Sequence, residues 1–81
     1  PIDPEETDAY IRHRLSVAGS NGRPAFTPRA VRAIYRYSHG VPRLINAVCD
    51  KTLLAGYVEG RDELGWRQVR RAARDLEGGG R

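Results

Sequence analysis

Apolar residues recur at helical spacing in four segments of this chain, and residues typical of turns separate the segments. The first segment covers residues 2–18, where Ile11, Leu15 and Ala18 fall at i, i+4 and i+7 with Tyr10 and Val17 beside them. Side chains at these intervals lie on one face of an α-helix. The pattern therefore predicts an amphipathic helix that buries this face.

The first segment also contains signals for a helix start. Asp3 or Thr7 can act as the N-cap, and Pro4 suits the first helical position. Acidic residues come early in the segment and arginines late, an order that complements the helix macrodipole. We interpret the acidic cluster as a solvated first turn rather than a metal or acid–base site; its members are Asp3, Glu5, Glu6 and Asp8.

The second and third segments begin with clear capping signals. Thr27 followed by Pro28 predicts an N-cap and a first helical residue, for a helix that runs to about Ser38. Pro42 likewise opens a third helix that runs to about Val58. The third helix has the widest apolar surface and is expected to be the central one. The apolar stripe of the second helix contains Val31, Ile34 and Tyr35; that of the third contains Ile45, Val48, Cys49, Thr52, Leu53 and Gly56, widened by Leu44, Ala47, Leu54 and Ala55.

The fourth segment runs from about Gly65 to Leu76, with Trp66, Val69 and the alanines that follow at helical spacing. Residues 19–26 and 61–63 have the composition of loops, and we predict no β-strand. Four helices with short connections predict an all-α protein, a small four-helix bundle. We assign residues 1–76 to this domain and the glycine-rich residues 77–81 to a flexible tail.

The turn between the second and third helices is the strongest candidate for a functional site. Gly40 suits the left-handed residue that follows a helix, and Pro42 suits the first residue of the next one. Arg43 then lies in a first turn, where unbonded N–H groups and the helix macrodipole favour an anion. A guanidinium adds a planar set of donors that fits phosphate oxygens. The simpler alternative is an arginine that is solvated or paired with a nearby carboxylate.

The chain is moderately basic, with a net charge of +4 and a pI near 9.8. This charge permits a nucleic-acid, acidic-protein or membrane-surface partner without requiring one. On the second helix Arg29, Arg32 and Arg36 fall at i, i+3 and i+7 and form a basic ridge. The ridge is a candidate surface for phosphate or an acidic partner, and a solvated helix face is the alternative.

Other catalytic chemistry has little support in the sequence. Cys49 is the only cysteine, so an intrachain disulfide and a cysteine metal cluster are excluded, and its place in an apolar stripe favours packing over reactivity. His13 and His39 are isolated, and a structural or solvent-facing role is preferred to general-base catalysis. No metal site is predicted. No apolar run approaches the length of a membrane span, so direct membrane insertion is not expected.

The combined pattern resembles a known family. The run from Tyr37 to Gly56, which contains Gly40-Val41-Pro42-Arg43-Leu44-Ile45-Asn46, looks like the sensor 2 region of AAA+ ATPases. It is most similar to bacterial general secretion pathway protein A-like ATPases and to related pilus or exopolysaccharide ATPases. The stretch from Glu6 to Leu15 is similar to the first lid helix of that group. The resemblance extends from about Glu5 to Leu76.

This resemblance implies the C-terminal helical lid of an AAA+ ATPase, in which the motif arginine reaches the γ-phosphate of ATP. Arg43 matches that arginine, Gly40 and Pro42 match the turn that positions its helix, and Val41 and Leu44 would touch the adenine. ATP and Mg²⁺ are then expected in the full-length protein. The chain has no phosphate-binding loop of the type Gly-x-x-x-x-Gly-Lys-Ser/Thr, so the fragment alone is expected to be inactive and without a cofactor.

The resemblance also implies partners. They are a preceding AAA+ core domain of the same longer chain and further copies in a homo-oligomer. The expected location is the cytoplasm, where other parts of the parent protein could hold it at the inner face of the bacterial inner membrane. The alternative function is a small basic helical module that binds nucleic acid or a protein, because two helices joined by a short turn superficially resemble a helix-turn-helix. Nucleic acid is the less favoured partner, since the third helix is mostly apolar.

Overall fold

The described part of the chain forms four helices and one very small sheet. The computed structural model describes residues 1–17 and 24–78. The predicted all-α class and the four helices are confirmed. The prediction that there is no strand is wrong, because two short strands pair in parallel. In chain order the elements are α1 (Pro4–Val17), β1 (Ala25–Phe26), α2 (Pro28–Ser38), α3 (Pro42–Val58), β2 (Glu63–Leu64) and α4 (Trp66–Gly78).

A capping box starts α1. The backbone N–H of Glu6 donates to the Asp3 carboxylate at 2.8 Å, and the backbone N–H of Asp3 donates to the Glu6 carboxylate at 3.1 Å. These reciprocal bonds satisfy donors that a helix start leaves without partners. Asp3 is therefore the N-cap, and the alternative cap, Thr7, is instead fully buried in the first turn. Ala18, which the sequence places on the buried face of α1, lies outside the described residues.

The starts of α2 and α4 follow similar rules. The Thr27 hydroxyl accepts a hydrogen bond from the N–H of Ala30 at 3.1 Å, which confirms the predicted cap. At α4 the side-chain carbonyl of Gln68 accepts from the N–H of Gly65 at 2.8 Å. The observed α4 continues to Gly78, two residues past the predicted domain end at Leu76 and into the predicted tail. The last three residues of that tail, 79–81, lie outside the described part.

The two strands bring the starts of α2 and α4 together. Ala25 lies opposite Glu63 and Phe26 lies opposite Leu64. The ladder continues beyond the strands, where the N–H of Thr27 donates to the carbonyl of Leu64 at 3.0 Å. Two-residue strands are too short to show the alternation that marks a strand in sequence. For this reason the sequence pattern places residues 25–26 and Glu63 in loops and assigns Leu64 to no element.

The core lies where α2 and α3 meet the other helices. Each of these two helices contacts the remaining three, so the central position predicted for α3 is shared with α2. On α2 the buried positions are Ala30, Ile34 and Ser38, whereas the predicted stripe residues Val31 and Tyr35 are only half-buried. The buried apolar residues of the core are Ile11, Leu15, Ala30, Ile34, Ile45, Val48, Cys49, Val69 and Ala72.

The outer side of α3 departs from prediction near its C-terminal end. Leu54 was predicted to widen the buried stripe, but it is 66% exposed. Tyr57 and Val58 are also exposed, so the last turn of α3 presents apolar side chains to solvent. Leu64, which the apolar pattern did not single out, is fully buried and packs against Gly56. A Cβ on Gly56 would lie 2.5 Å from a terminal methyl group of Leu64, so any larger residue at position 56 would force that side chain to shift.

Candidate functional site

The turn between α2 and α3 has two consecutive residues in the left-handed conformation. Gly40 has a φ of +76°, which confirms its predicted role after the helix. His39 has a φ of +53°, which the sequence did not predict because only glycine adopts this conformation without cost. The N–H of His39 donates to the carbonyl of Tyr35 at 2.7 Å, and the N–H of Val41 donates to that of Ser38 at 3.0 Å. These bonds close a tight turn.

The segment before α1 packs directly on this turn. The N–H of Ile2 donates to the carbonyl of Gly40 at 2.8 Å. A Cβ on Gly40 would lie 2.0 Å from the carbonyl oxygen of Ile2, so only glycine permits the contact. The Ser38 hydroxyl, which is buried, accepts from the N–H of Gly40 at 3.2 Å. The conformation of the turn therefore depends on a residue far away in the sequence.

Within residues 1–17 and 24–78, the first turn of α3 has one backbone N–H group without an acceptor. Pro42 is the first helical residue and has no N–H, as predicted. The carbonyl of Val41 accepts from the N–H groups of Leu44 and Ile45, both at 3.0 Å. The N–H of Arg43 has no acceptor among the described residues. The backbone N–H of Arg43 is therefore the donor of this turn that can bind a ligand or water.

The side chain of Arg43 is exposed next to this donor. It forms no ion pair or hydrogen bond with any residue in 1–17 or 24–78. The alternative prediction, in which Arg43 pairs with a nearby carboxylate, is therefore not supported within these residues. Val41 and Leu44 beside it are half-buried. The turn thus combines a guanidinium, one backbone N–H and partly exposed apolar side chains.

Two contacts from α1 hold the N-terminal half of α3 in place. The hydroxyl of Tyr10 donates to the side-chain carbonyl of Asn46 at 2.9 Å, and Arg14 pairs with the carboxylate of Asp50. Asn46 lies one turn after Arg43, so this contact supports the helix that presents the arginine. Sequence analysis missed this role of Tyr10 and Asn46. The only signal for it is that Asn46 is polar beside the apolar stripe of α3.

Comparison with known proteins identifies a relative of this chain. The chain is similar to a segment of the general secretion pathway protein A of Aeromonas hydrophila. The two are 40% identical over 78 residues, which cover 96% of this chain and 14% of that protein. No family model matches the chain, and no solved structure matches it. Because the match covers 96% of this chain, the segment that contains the Gly40–Pro42 turn and Arg43 lies within it.

The predicted basic ridge is exposed. Arg29, Arg32 and Arg36 lie on the outer side of α2 and line a recess together with Trp66 of α4. Sequence analysis placed Trp66 in the apolar stripe of α4, but its side chain is only half-buried. The ridge therefore belongs to a surface that two helices share, which a pattern on one helix does not show.

The cysteine and the two histidines differ in their exposure to solvent. Burial raises the pKa of the Cys49 thiol to about 12, so the thiol stays protonated near neutral pH. His13 and His39 are both exposed. Within the described ranges, no three His, Cys, Asp or Glu side chains group in a way that could hold a metal ion. None of the described helices is long and apolar enough to cross a membrane.

Proposed function

We propose that this chain is the helical lid of a secretion-associated AAA+ ATPase and that Arg43 contacts the γ-phosphate of ATP. The observation that carries the proposal is Arg43 itself, an exposed arginine on the first turn of α3 that forms no ion pair with any residue in 1–17 or 24–78. The similarity to general secretion pathway protein A supports the secretion context. Because that relative is much longer than the matched segment, the activity of the whole protein is part of the proposal.

The residues of the turn fit a phosphate ligand. The guanidinium of Arg43 can donate to phosphate oxygens in bidentate fashion, and the adjacent N–H can donate a further hydrogen bond. Val41 and Leu44 are half-buried and would cover part of the adenine. ATP supplies the phosphoryl group when bound. Mg²⁺ and the phosphate cradle would come from a core domain of the same protein, because the described residues contain no cluster of three His, Cys, Asp or Glu side chains that could hold a metal ion.

The contacts around the turn would couple Arg43 to the rest of the lid. α3 is joined to α1 by the Tyr10–Asn46 hydrogen bond, and Gly40 is joined to the N-terminal segment through Ile2. A displacement of Arg43 toward or away from a phosphate would therefore move α1 and α3 together. Such a rigid-body motion is a common way for nucleotide state to change domain arrangement. Homo-oligomerisation of the parent protein is a further element of this proposal.

Replacing Arg43 by Ala in the full-length ATPase tests the proposal. We expect kcat for ATP hydrolysis to fall by about tenfold or more, because a positioned charge at the transferred phosphate is lost. Steady-state kinetics and nucleotide affinity measure the effect, and circular dichroism checks the fold. The matched control is Arg12→Ala, since Arg12 is also exposed but pairs with Asp8 on α1. Unchanged kinetics and affinity in Arg43→Ala would reject the assignment.

The helix-turn-helix alternative is not supported by the position of α3. A recognition helix must present polar side chains on an open face. In this structure α3 packs against all three other helices, and its exposed C-terminal turn presents Leu54, Tyr57 and Val58. The exposed arginines lie mainly on α2 and α4, so a nucleic acid would have to use a different surface.

A further inference from the structure

A groove with an apolar floor runs between α2 and α4. It has a volume of about 310 Å³. Trp66 lies at its edge and also lines the two neighbouring recesses, so the three form one continuous surface. We call this surface the α2–α4 groove. Apart from Trp66 and two arginines at its sides, the groove is lined by Ala33, Tyr37, Val69 and Ala73.

Two matching rows of arginines border the groove. α2 begins at Pro28 and α4 at Trp66, each two residues after a strand, and these strands pair with each other in parallel. In the sheet, Phe26 pairs with Leu64. When the same residue-by-residue pairing is counted forward along α2 and α4, each arginine in the α2 row corresponds to an arginine of α4. The α2 row is Arg29, Arg32 and Arg36, and the equivalent α4 row is Arg67, Arg70 and Arg74.

The arginines of both rows line the recesses of this surface. The recess on the α2 side is lined by the whole α2 row together with Ala33 and Trp66. The recess on the α4 side is lined by the whole α4 row together with Trp66, Arg71 and Asp75. Arg36 and Arg70 also line the central groove, so one residue of each row reaches the apolar floor.

Most of this positive charge is not neutralised within the described residues. Arg29, Arg32, Arg36, Arg70 and Arg74 form no ion pair in residues 1–17 and 24–78. The one acid that lines the α4 recess is Asp75. Positive charge on both sides of an apolar strip raises the local concentration of an acidic partner and selects its orientation.

We propose that the α2–α4 groove docks an acidic amphipathic helix of another protein. The apolar stripe of that helix would lie on the groove floor, and carboxylates on its two sides would pair with the α2 row and the α4 row. This arrangement follows the helix-in-groove mode of recognition, with charge added on both flanks. It is independent of the phosphate contact proposed for Arg43, which lies on α3.

The surface fits a protein better than a nucleic acid. Single-stranded nucleic acids bind by stacking bases on accessible aromatic faces. The guanidinium of Arg67 lies 5.5 Å from the ring centroid of Trp66 and covers one face of that ring. The floor between the rows is apolar, whereas a phosphate backbone would be better matched by a continuous basic track. An apolar strip between two basic rows instead complements a helix with the opposite pattern.

A designed peptide tests this inference in the 81-residue chain. The probe is a fluorescein-labelled helical peptide with a leucine stripe flanked by glutamates, and fluorescence anisotropy measures Kd. We expect micromolar binding. Arg36→Glu and Arg70→Glu, one from each row, should each weaken binding by about tenfold. Arg12→Glu, with the same change in net charge on α1, should weaken it by less than about twofold.

Three further probes separate the proposal from its competitors, with circular dichroism confirming that each variant is folded. A peptide with serine in place of the leucine stripe and a scrambled peptide of equal composition should both fail to bind. The proposal would be overturned in favour of unspecific charge attraction if either of these peptides bound as tightly as the leucine-stripe peptide. The same conclusion would follow if Arg12→Glu weakened binding as much as Arg36→Glu does. The proposal would be overturned in favour of a nucleic-acid ligand if oligothymidylate bound more tightly than the peptide and if Arg36→Glu and Arg70→Glu weakened that binding to the same extent.

Discussion

Leu64→Ala lowers the free energy of unfolding by about 3 kcal/mol, the cost typical of removing a buried leucine side chain beyond its Cβ. Leu64 is 0% exposed and packs against Gly56 of α3. It belongs to β2, so its loss also weakens the connection between that strand and the core. For a domain of this size the melting temperature should fall by roughly 15 °C.

Urea unfolding followed by circular dichroism measures this effect, and Leu54→Ala is the matched control. Leu54 is 66% exposed, so the same chemical change there should cost less than about 0.5 kcal/mol. Similar losses at both positions would show that the burial of Leu64 is wrong. If Leu64→Ala is too unstable to measure, Leu64→Val provides a smaller change in the same direction.

A double variant tests the contact between Leu64 and Gly56 itself. Gly56→Ala alone should destabilise the protein, because the added Cβ would lie 2.5 Å from the Leu64 side chain. In the Leu64→Ala background the same change meets no such obstacle and should cost less. The two effects are therefore expected to be strongly non-additive. Additive effects would mean that the two residues do not touch.

Gly40→Ala lowers the free energy of unfolding by about 3 kcal/mol, for two reasons that act together. The residue has a φ of +76°, which costs an alanine energy whatever its surroundings. The new Cβ would also lie 2.0 Å from the carbonyl oxygen of Ile2, so the N-terminal segment would have to move. The hydrogen bond from Ile2 to Gly40 should then be lost.

Gly60→Ala separates these two contributions. Gly60 has a similar φ of +70°, but a Cβ there meets nothing within 4 Å. This control should cost about 1 kcal/mol, from the backbone conformation alone. The difference between the two variants, measured by thermal unfolding, reports the contact with Ile2. Equal costs would contradict that contact.

Local signals in the sequence account for the helices. Thr27-Pro28 and Pro42 predicted the starts of α2 and α3, and the structure places both starts there. These signals work because capping and the fixed φ of proline act over only a few residues. The strands and the burial of Leu64 escaped prediction because they depend on pairing between segments that are distant in the chain.

The candidate site was predictable in the same local sense. The positions of Gly40, Pro42 and Arg43 at the turn follow from their own conformational preferences, and the structure has them as expected. The contacts that hold the turn do not follow from such preferences. One of them joins Ile2, before α1, to Gly40 in the turn, and the other joins Tyr10 of α1 to Asn46 of α3. The role of Arg43 toward ATP stays a prediction until the full-length variant is measured.

The sequence by itself determined where α2 and α3 start and which side of α3 is buried along most of its length, since these depend on backbone preferences and on helical periodicity. Only the tertiary structure decided which helix faces become neighbours. It brought the arginines of α2 and α4 to opposite sides of one groove, through a strand register that neither segment encodes alone. Packing between distant segments selects one arrangement among several that the same local pattern allows, and for this reason the groove could not be inferred from spacing.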